Sequence, residues 1–161
     1  METIVSDTTA LIVLAKRQRL DLLGSCFEHV LLPEAIYREW LVGDASIAET
    51  VQQLGFLQVV EVDDTGLLEE LQGLLDPGEA EALVLARERG LTLLVDERKG
   101  RSIAKMMGIP ILGLVGVLLL AIEREVLTPQ AAKELLREAK DDGFRLSARL
   151  YGAFIERVGL K

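Results

Sequence analysis

The sequence predicts an α/β domain built on a parallel sheet with helices on both faces. Two observations carry this. Short β-branched or apolar runs alternate along the chain with longer segments whose apolar residues recur at helical spacing. One of the runs, LTLLV at Leu91–Val95, carries no charge and no polar alternation, as expected of a strand covered on both sides. At 161 residues, 50% of them hydrophobic, the chain is long enough for one domain with a substantial core and short for two.

Taken in order, Thr3–Ser6 is the first strand and Thr8–Lys16 a helix with Leu11, Ile12, Leu14 and Ala15 at helical spacing. His29–Leu32 is a second strand. Pro33 suits the first turn of a helix running to Trp40. A helix over Asp44–Leu54, a strand over Phe56–Val62 and a helix over Thr65–Leu75 follow. Asp76 and Pro77 open a helix that runs to Arg89 and is closed by Gly90. The strand Leu91–Val95 ends at Asp96, and a helix over Arg98–Met107 leads to a short strand at Pro110–Leu112. The remainder is helical: Val115–Arg124, then Pro129–Lys140 capped by Thr128, then a helix from Ser147, its N-cap, to Val158. No repeat, low-complexity segment or linker interrupts this order.

Composition excludes several classes of function. A single cysteine, Cys26, rules out an internal disulfide framework and fits a reducing cytoplasm. His29 is the only histidine, so a Cys/His zinc site or a Ser/His/Asp triad would have to be built on that one residue. The start METIVSDTTA has no basic segment before a long apolar one, so no signal peptide is expected. The apolar stretch Ile109–Ile122 is too short to span a bilayer and is broken by Pro110, Gly113 and Gly116. A net charge of −8 argues against bulk electrostatic coating by nucleic acid. Acids gathered around divalent cations, however, count as negative only until metal arrives. The charge is also uneven: EVDDTGLLEE (Glu61–Glu70) holds five acids and no base, whereas ERKGRSIAK (Glu97–Lys105) holds four bases and one acid.

In an open α/β sheet, ligands bind beyond the carboxyl ends of the strands. Asp7 follows the first strand and Asp96 follows LTLLV, so both should reach one crevice. Glu39 lies on the helix after the second strand, on the stripe of Ala35; its alternative is an exposed acid facing Arg38. Glu79 has a stronger rival reading, because Asp76 and Glu79 have the spacing of a capping box. Glu81 falls on another face. Four carboxylates from separate segments repel one another unless a counter-charge is present. Mg²⁺ or Mn²⁺ supplies it, with carboxylate oxygens and water as ligands. Such a site activates water, holds a phosphodiester and stabilises a leaving oxygen, which makes hydrolysis of a nucleic-acid backbone the natural chemistry.

The ordered set IVSDTTALIVLAKRQRLDLL, VLLPEAIYREW, DPGEAEALVLARERG, LLVDERKGRSIAKMMGIPILGLVGVLLLA and LTPQAAKELLREAKDDGFRLSARLY resembles the PIN-domain family, in its VapC-like branch of predicted nucleic-acid-binding prokaryotic proteins. The resemblance implies a three-layer α/β/α fold over one domain, residues 1–161, with a core to about residue 126 and helices from 127 as an extension. It also implies a Mg²⁺- or Mn²⁺-dependent ribonuclease, often the toxin of a toxin–antitoxin pair, with Asp7, Glu39, Glu79 and Asp96 as catalytic and metal-binding acids. An RNA substrate, an antitoxin partner, a homodimer and a cytoplasmic location belong to the same expectation, with no membrane association. The chain departs from the toxins in carrying Glu79 where many have Asp, and in placing ERKGR after LLVD, so that Asp96 and Glu97 compete for the last role.

Substrate contacts are expected from Thr8 and Thr9 after Asp7, whose alternative is helix capping. They are also expected from Arg98, Lys99 and Arg101 at a helix start that favours phosphate, the alternative being a solvated basic face. The competing function is a PIN-fold module that binds nucleic acid or a partner with weak or no catalysis, which the net charge motivates. A phosphatase using Asp7 as nucleophile would need a second Asp two residues on, where Thr9 stands.

Overall fold

The computed structural model describes residues 2–63 and 65–160. Five strands form one all-parallel sheet: β1 (Glu2–Ser6), β2 (Phe27–Pro33), β3 (Leu57–Val60), β4 (Thr92–Leu94) and β5 (Ile111–Leu112), in the order β3-β2-β1-β4-β5. The helices are α1 (Thr8–Lys16), α2 (Asp21–Cys26), α3 (Glu34–Gly43), α4 (Ile47–Gln53), α5 (Gly66–Gln72), α6 (Pro77–Arg89), α7 (Arg98–Met106), α8 (Leu114–Glu123), α9 (Pro129–Asp141) and α10 (Ala148–Arg157).

Strand alternation divides the core in two. Ile4, Val30, Leu32 and Leu94 point to one face, covered by α1, α2, α8 and α9. Val5, Leu31, Leu93 and Val95 point to the other, covered by α5, α6 and α7. The result is the three-layer α/β/α arrangement expected of the sequence. Helix α3 spans the two layers, with Ile36 in the second cluster and Trp40 in the first. Helix α6 is buried on nearly every side, at Gly78, Ala80 and continuously from Ala82 to Ala86. It ends on Gly90 at φ +64°, a left-handed cap that glycine adopts without steric cost.

Several boundaries differ from the sequence expectation for identifiable reasons. Helix α2 is not anticipated by periodicity, because six residues interrupted by Gly24 give less than two turns of pattern. Residues Asp44–Ser46 lie outside α4: Asp44 Oδ1 accepts from Ser46 N at 3.0 Å and Ser46 Oγ at 2.6 Å, a side-chain turn that delays the helix to Ile47. Strand β3 stops at Val60, where its partner β2 stops at Pro33.

The C-terminal helices are part of the main core. Leu135, Leu136 and Ala139 of α9 and Phe154 of α10, which is 2% exposed, pack with the α1 and α8 residues. Arg17 adds a polar tie, donating to Asp142 at 2.7 Å and to the Val13 carbonyl at 3.0 Å. Among the described residues no helix is long and apolar enough to cross a membrane.

Truncating Phe154 to Ala should therefore cost about 3–5 kcal/mol and lower a single cooperative unfolding transition. Denaturant unfolding followed by circular dichroism checks this; an unchanged midpoint would make α10 an appendage.

Candidate active site

Strand β1 lies between β2 and β4, and the chain order reverses there: β2 and β3 extend the sheet on one side, β4 and β5 on the other. This is the topological switch point of an open α/β sheet, where a crevice opens at the carboxyl edge. Asp7 sits in it. Its backbone N–H donates to the Leu94 carbonyl at 2.9 Å, and its side chain caps α1 by accepting from Thr8 N at 2.7 Å. It is only 6% exposed, and Ser6 is the other buried polar side chain among the described residues. Burial, aided by the charges of Asp76, Glu97 and Glu39 and opposed by the Thr8 N–H, pushes its pKa up to about 6.

Those three neighbours arrive from three other segments. Glu39 projects from α3; though the residue is exposed overall, partial desolvation of its carboxyl by the surrounding protein and the charge of Asp76 raise it. Asp76 caps α6, its Oδ1 accepting from Glu79 N at 2.9 Å. Gly78 separates them: a Cβ there would stand 3.1 Å from Glu39 Oε2, 3.6 Å from Asp76 Oδ1 and 2.9 Å from Ile36 Cγ1. Glycine is thus required by the close approach of α3 to the first turn of α6.

Both readings of the Asp76–Glu79 spacing are partly realised. Asp76 caps the helix, as a capping box requires. The Glu79 carboxyl instead faces the Glu97 side chain. Burial pushes Glu79 up to about 8, with the Glu97 side chain and the charges of Asp76 and Asp7 acting in the same direction. Asp7 and Glu79 also line one small crevice floored by Leu83, Leu93 and Val95.

Asp96 takes a different position from the one expected. Its Oδ1 and Oδ2 accept from Leu114 N at 3.0 and 3.2 Å, which caps α8. Arg101 is on the same side: a Cβ on Gly113 would meet Asp96 Oδ1 at 2.9 Å and Arg101 Nη1 at 3.0 Å. Burial raises the Asp96 carboxyl, and Leu114 N–H and Arg101 oppose it. Glu97, one residue on, faces Glu79 and Asp7. The two carboxylates thus leave the β4–α7 turn in different directions, Asp96 toward the α8 N-terminus and Glu97 toward Glu79.

The remaining expected contacts divide similarly. Arg98 and Lys99 are exposed at the start of α7, but Arg101 is half-buried, its Nη1 donating to the Val95 carbonyl at 2.8 Å. Thr8 opens α1 beside Asp7. Thr9 lines a groove with Val13 and the α9 residue Ala139, away from the acids. A groove of about 680 Å³ lies between the ends of α1, α3 and α4 and is lined by none of Asp7, Glu39, Asp76, Glu79, Asp96 or Glu97.

Sequence reasoning misses two participants. Asp76 reads as a cap and nothing more, although a capping carboxylate keeps a second oxygen free. Glu81 reads as facing elsewhere, yet its Oε1 accepts from Ala35 N at 3.1 Å and so caps the first turn of α3, the helix that carries Glu39.

Asp7, Glu39, Asp76, Glu79 and Glu97 are all oxygen donors, and among the described residues none forms an ion pair. That chemistry fits a hard divalent cation. Among the described residues no three acid, histidine or cysteine side chains stand close enough to hold a metal as they lie. The raised Asp7, Glu39 and Glu79 carboxyls reflect the burial and mutual repulsion that a cation would offset.

A sequence profile described as a PIN domain matches residues 3–160. The chain belongs to the PIN-domain family. No curated protein matches it. PIN domains are generally nucleases that act on nucleic acid and typically use a divalent metal, which agrees in kind with an acidic cluster at the carboxyl edge of a parallel sheet.

Two predictions follow from this geometry. A carboxyl raised in the folded state contributes stability that is full below its unfolded pKa and lost as pH rises through the folded one. For Asp7 that window runs from 3.8 to about 6. In EDTA, the wild-type PIN domain should lose on the order of 3 kcal/mol relative to Asp7→Asn between pH 4 and pH 7. Parallel unfolding curves for the two proteins would contradict this. Separately, Glu81→Ala should weaken Mn²⁺ binding by about tenfold through a loosened α3, with Glu81→Gln close to wild type; isothermal titration calorimetry distinguishes them.

Proposed function

We infer that this PIN domain is a metal-dependent ribonuclease that hydrolyses RNA phosphodiester bonds at the carboxyl-edge acids. One observation carries the reading: four separate segments bring Asp7, Glu39, Asp76 with Glu79, and Glu97 to the switch point between β1 and β4, with no basic partner.

In this reading Asp7, Glu39, Glu79 and Glu97 hold Mg²⁺ or Mn²⁺, with Asp76 adding negative charge beside Glu39 and Glu79. Asp96 braces the turn that presents Glu97. When bound, the cation offsets the charge of the phosphate and acidifies the attacking water. The protein's own contribution is placement. Asp7 is fixed by the Thr8 N–H, and Glu39 is fixed by the α3–α6 crossing at Gly78. A carboxylate oxygen left free of the cation takes the proton of the water that attacks phosphorus, and the bond from phosphorus to the leaving oxygen breaks.

The ordered segments of the VapC-like branch support a further step, that this is the toxin of a toxin–antitoxin pair, acting in the cytoplasm as a homodimer. A second reading, a nucleic-acid- or partner-binding PIN module with weak or no catalysis, is favoured by one observation: no three ligands are preassembled among the described residues. Binding of Mn²⁺ separates the two, since a chain with no detectable binding at millimolar metal is not the enzyme.

With mixed-sequence RNA and Mn²⁺, Asp7→Asn should abolish cleavage while leaving the circular-dichroism spectrum intact; full activity would sink the assignment. Glu97→Gln should lower cleavage by on the order of a hundredfold. Asp96→Ala should chiefly cost stability, about 1–3 kcal/mol, by leaving the Leu114 N–H unpaired.

A further inference from the structure

The acids of the site repel the substrate that the proposed reaction requires, so a phosphodiester brought to them has to be held by positive charge nearby. In a chain of net charge −8, the stretch between Glu97 and Glu123 contains no acid, and its Arg98, Lys99, Arg101 and Lys105 all lie on α7. This helix is strongly two-sided. Gly100 and Ala104 are buried, with Val95 Cγ2 3.1 Å from where a Cβ on Gly100 would stand, and Ile103 and Met107 pack on the same cluster. Arg98, Lys99, Ser102, Lys105 and Met106 are exposed, Met106 by 84%.

Three features separate this face from an ordinary solvated one. Among the described residues, Arg98, Lys99 and Lys105 form no ion pair, whereas Arg38 and Arg137 on other exposed helices are paired within one turn. Arg98, Ser102 and Lys105 recur at i, i+4 and i+7, which places them in one stripe about 10 Å long. The stripe begins next to Glu97, whose charge acts on Asp7 and Glu79, so the surface changes sign across a single peptide bond.

Resting on the nuclease reading above, we propose that the exposed face of α7 is the backbone track of a single-stranded nucleic acid, holding two or three phosphates through Arg98, Lys99 and Lys105 and leading them to the carboxyl-edge acids. The contacts are to phosphate, so the track is tolerant of sequence, and the exposed Met106 side chain offers an apolar surface to a base. Arg101, turned inward to the Val95 carbonyl, holds the start of the helix and does not belong to the track.

The test is fluorescence anisotropy with labelled oligouridylate and oligothymidylate in EDTA, over a series of salt concentrations. The triple variant Arg98→Ala, Lys99→Ala, Lys105→Ala should bind at least about tenfold more weakly. Its log–log salt dependence should be shallower by about 2, since each contact to a single strand contributes roughly 0.7. Arg87→Ala with Arg89→Ala, at the far end of α6, should leave both quantities unchanged. Equal binding of the two oligonucleotides supports readout of the shared phosphodiester; a preference for uridylate supports the same track with an added 2′-hydroxyl contact.

No binding by the wild type at low salt, or an unchanged salt slope in the triple variant, would overturn the proposal. Equally tight binding to anionic phosphatidylserine vesicles, lost in the same variant, would overturn it in favour of a membrane surface. A Mn²⁺ titration of both proteins keeps the two readings apart. Absence of metal binding overturns the nuclease reading alone, and intact metal binding with unchanged oligonucleotide affinity overturns the track alone.

Discussion

The structure depends on one constraint: a carboxylate is held at the carboxyl end of a strand that is buried on both faces. Strand β1 is flanked by β2 and β4 and covered by both helical layers, so Asp7 is left only 6% exposed, at the crevice it lines with Glu79. Ionising it there is costly, and the surrounding fold adds to that cost by directing further acids at the same point. The Thr8 N–H is the one favourable contact offered to its charge. An arrangement in which the native fold opposes its own ionised state is stabilised by a ligand of opposite charge, which is the general logic of a cation site.

How the other acids reach Asp7 is a matter of helix packing. Helix α6 is buried along almost its whole length, which fixes its first turn rigidly against the sheet edge. Gly78 lets α3 approach that turn closely, and Glu81 ties the start of α3 back to α6. Glu39 itself is exposed, so its position comes from the helix that carries it and not from its own burial. A glycine and an acid on another face therefore decide where Glu39 stands.

The β4–α7 turn shows the same division between support and function. Asp96 and Arg101 are both turned inward, one to the α8 N-terminus and the other to the Val95 carbonyl. Their neighbours Glu97, Arg98 and Lys99 are left outward, an acid toward the cluster and bases along the helix face. A segment that reads as a mixed run of charges is thus sorted by the fold into a brace, an acid facing Glu79 and a basic surface.

Much of this was legible in the chain. The alternation of apolar runs with helical segments determined the parallel α/β sheet, and Pro77, Gly90, Thr128 and Ser147 marked helix ends that stand where expected. That Asp7 and Asp96 follow strands β1 and β4 at the carboxyl edge was equally plain from element order, whereas Glu79 at the head of α6 competed with a capping reading. Helix α2 was hidden by its length. That Asp96 turns to the Leu114 N–H and Glu97 toward Glu79, that Asp76 caps α6, and that Glu81 caps α3 were decided by tertiary structure alone. The reason is physical: local sequence sets which side of its own strand or helix a carboxylate leaves from, but whether it meets a peptide N–H, a guanidinium or another carboxylate depends on what a distant segment packs there.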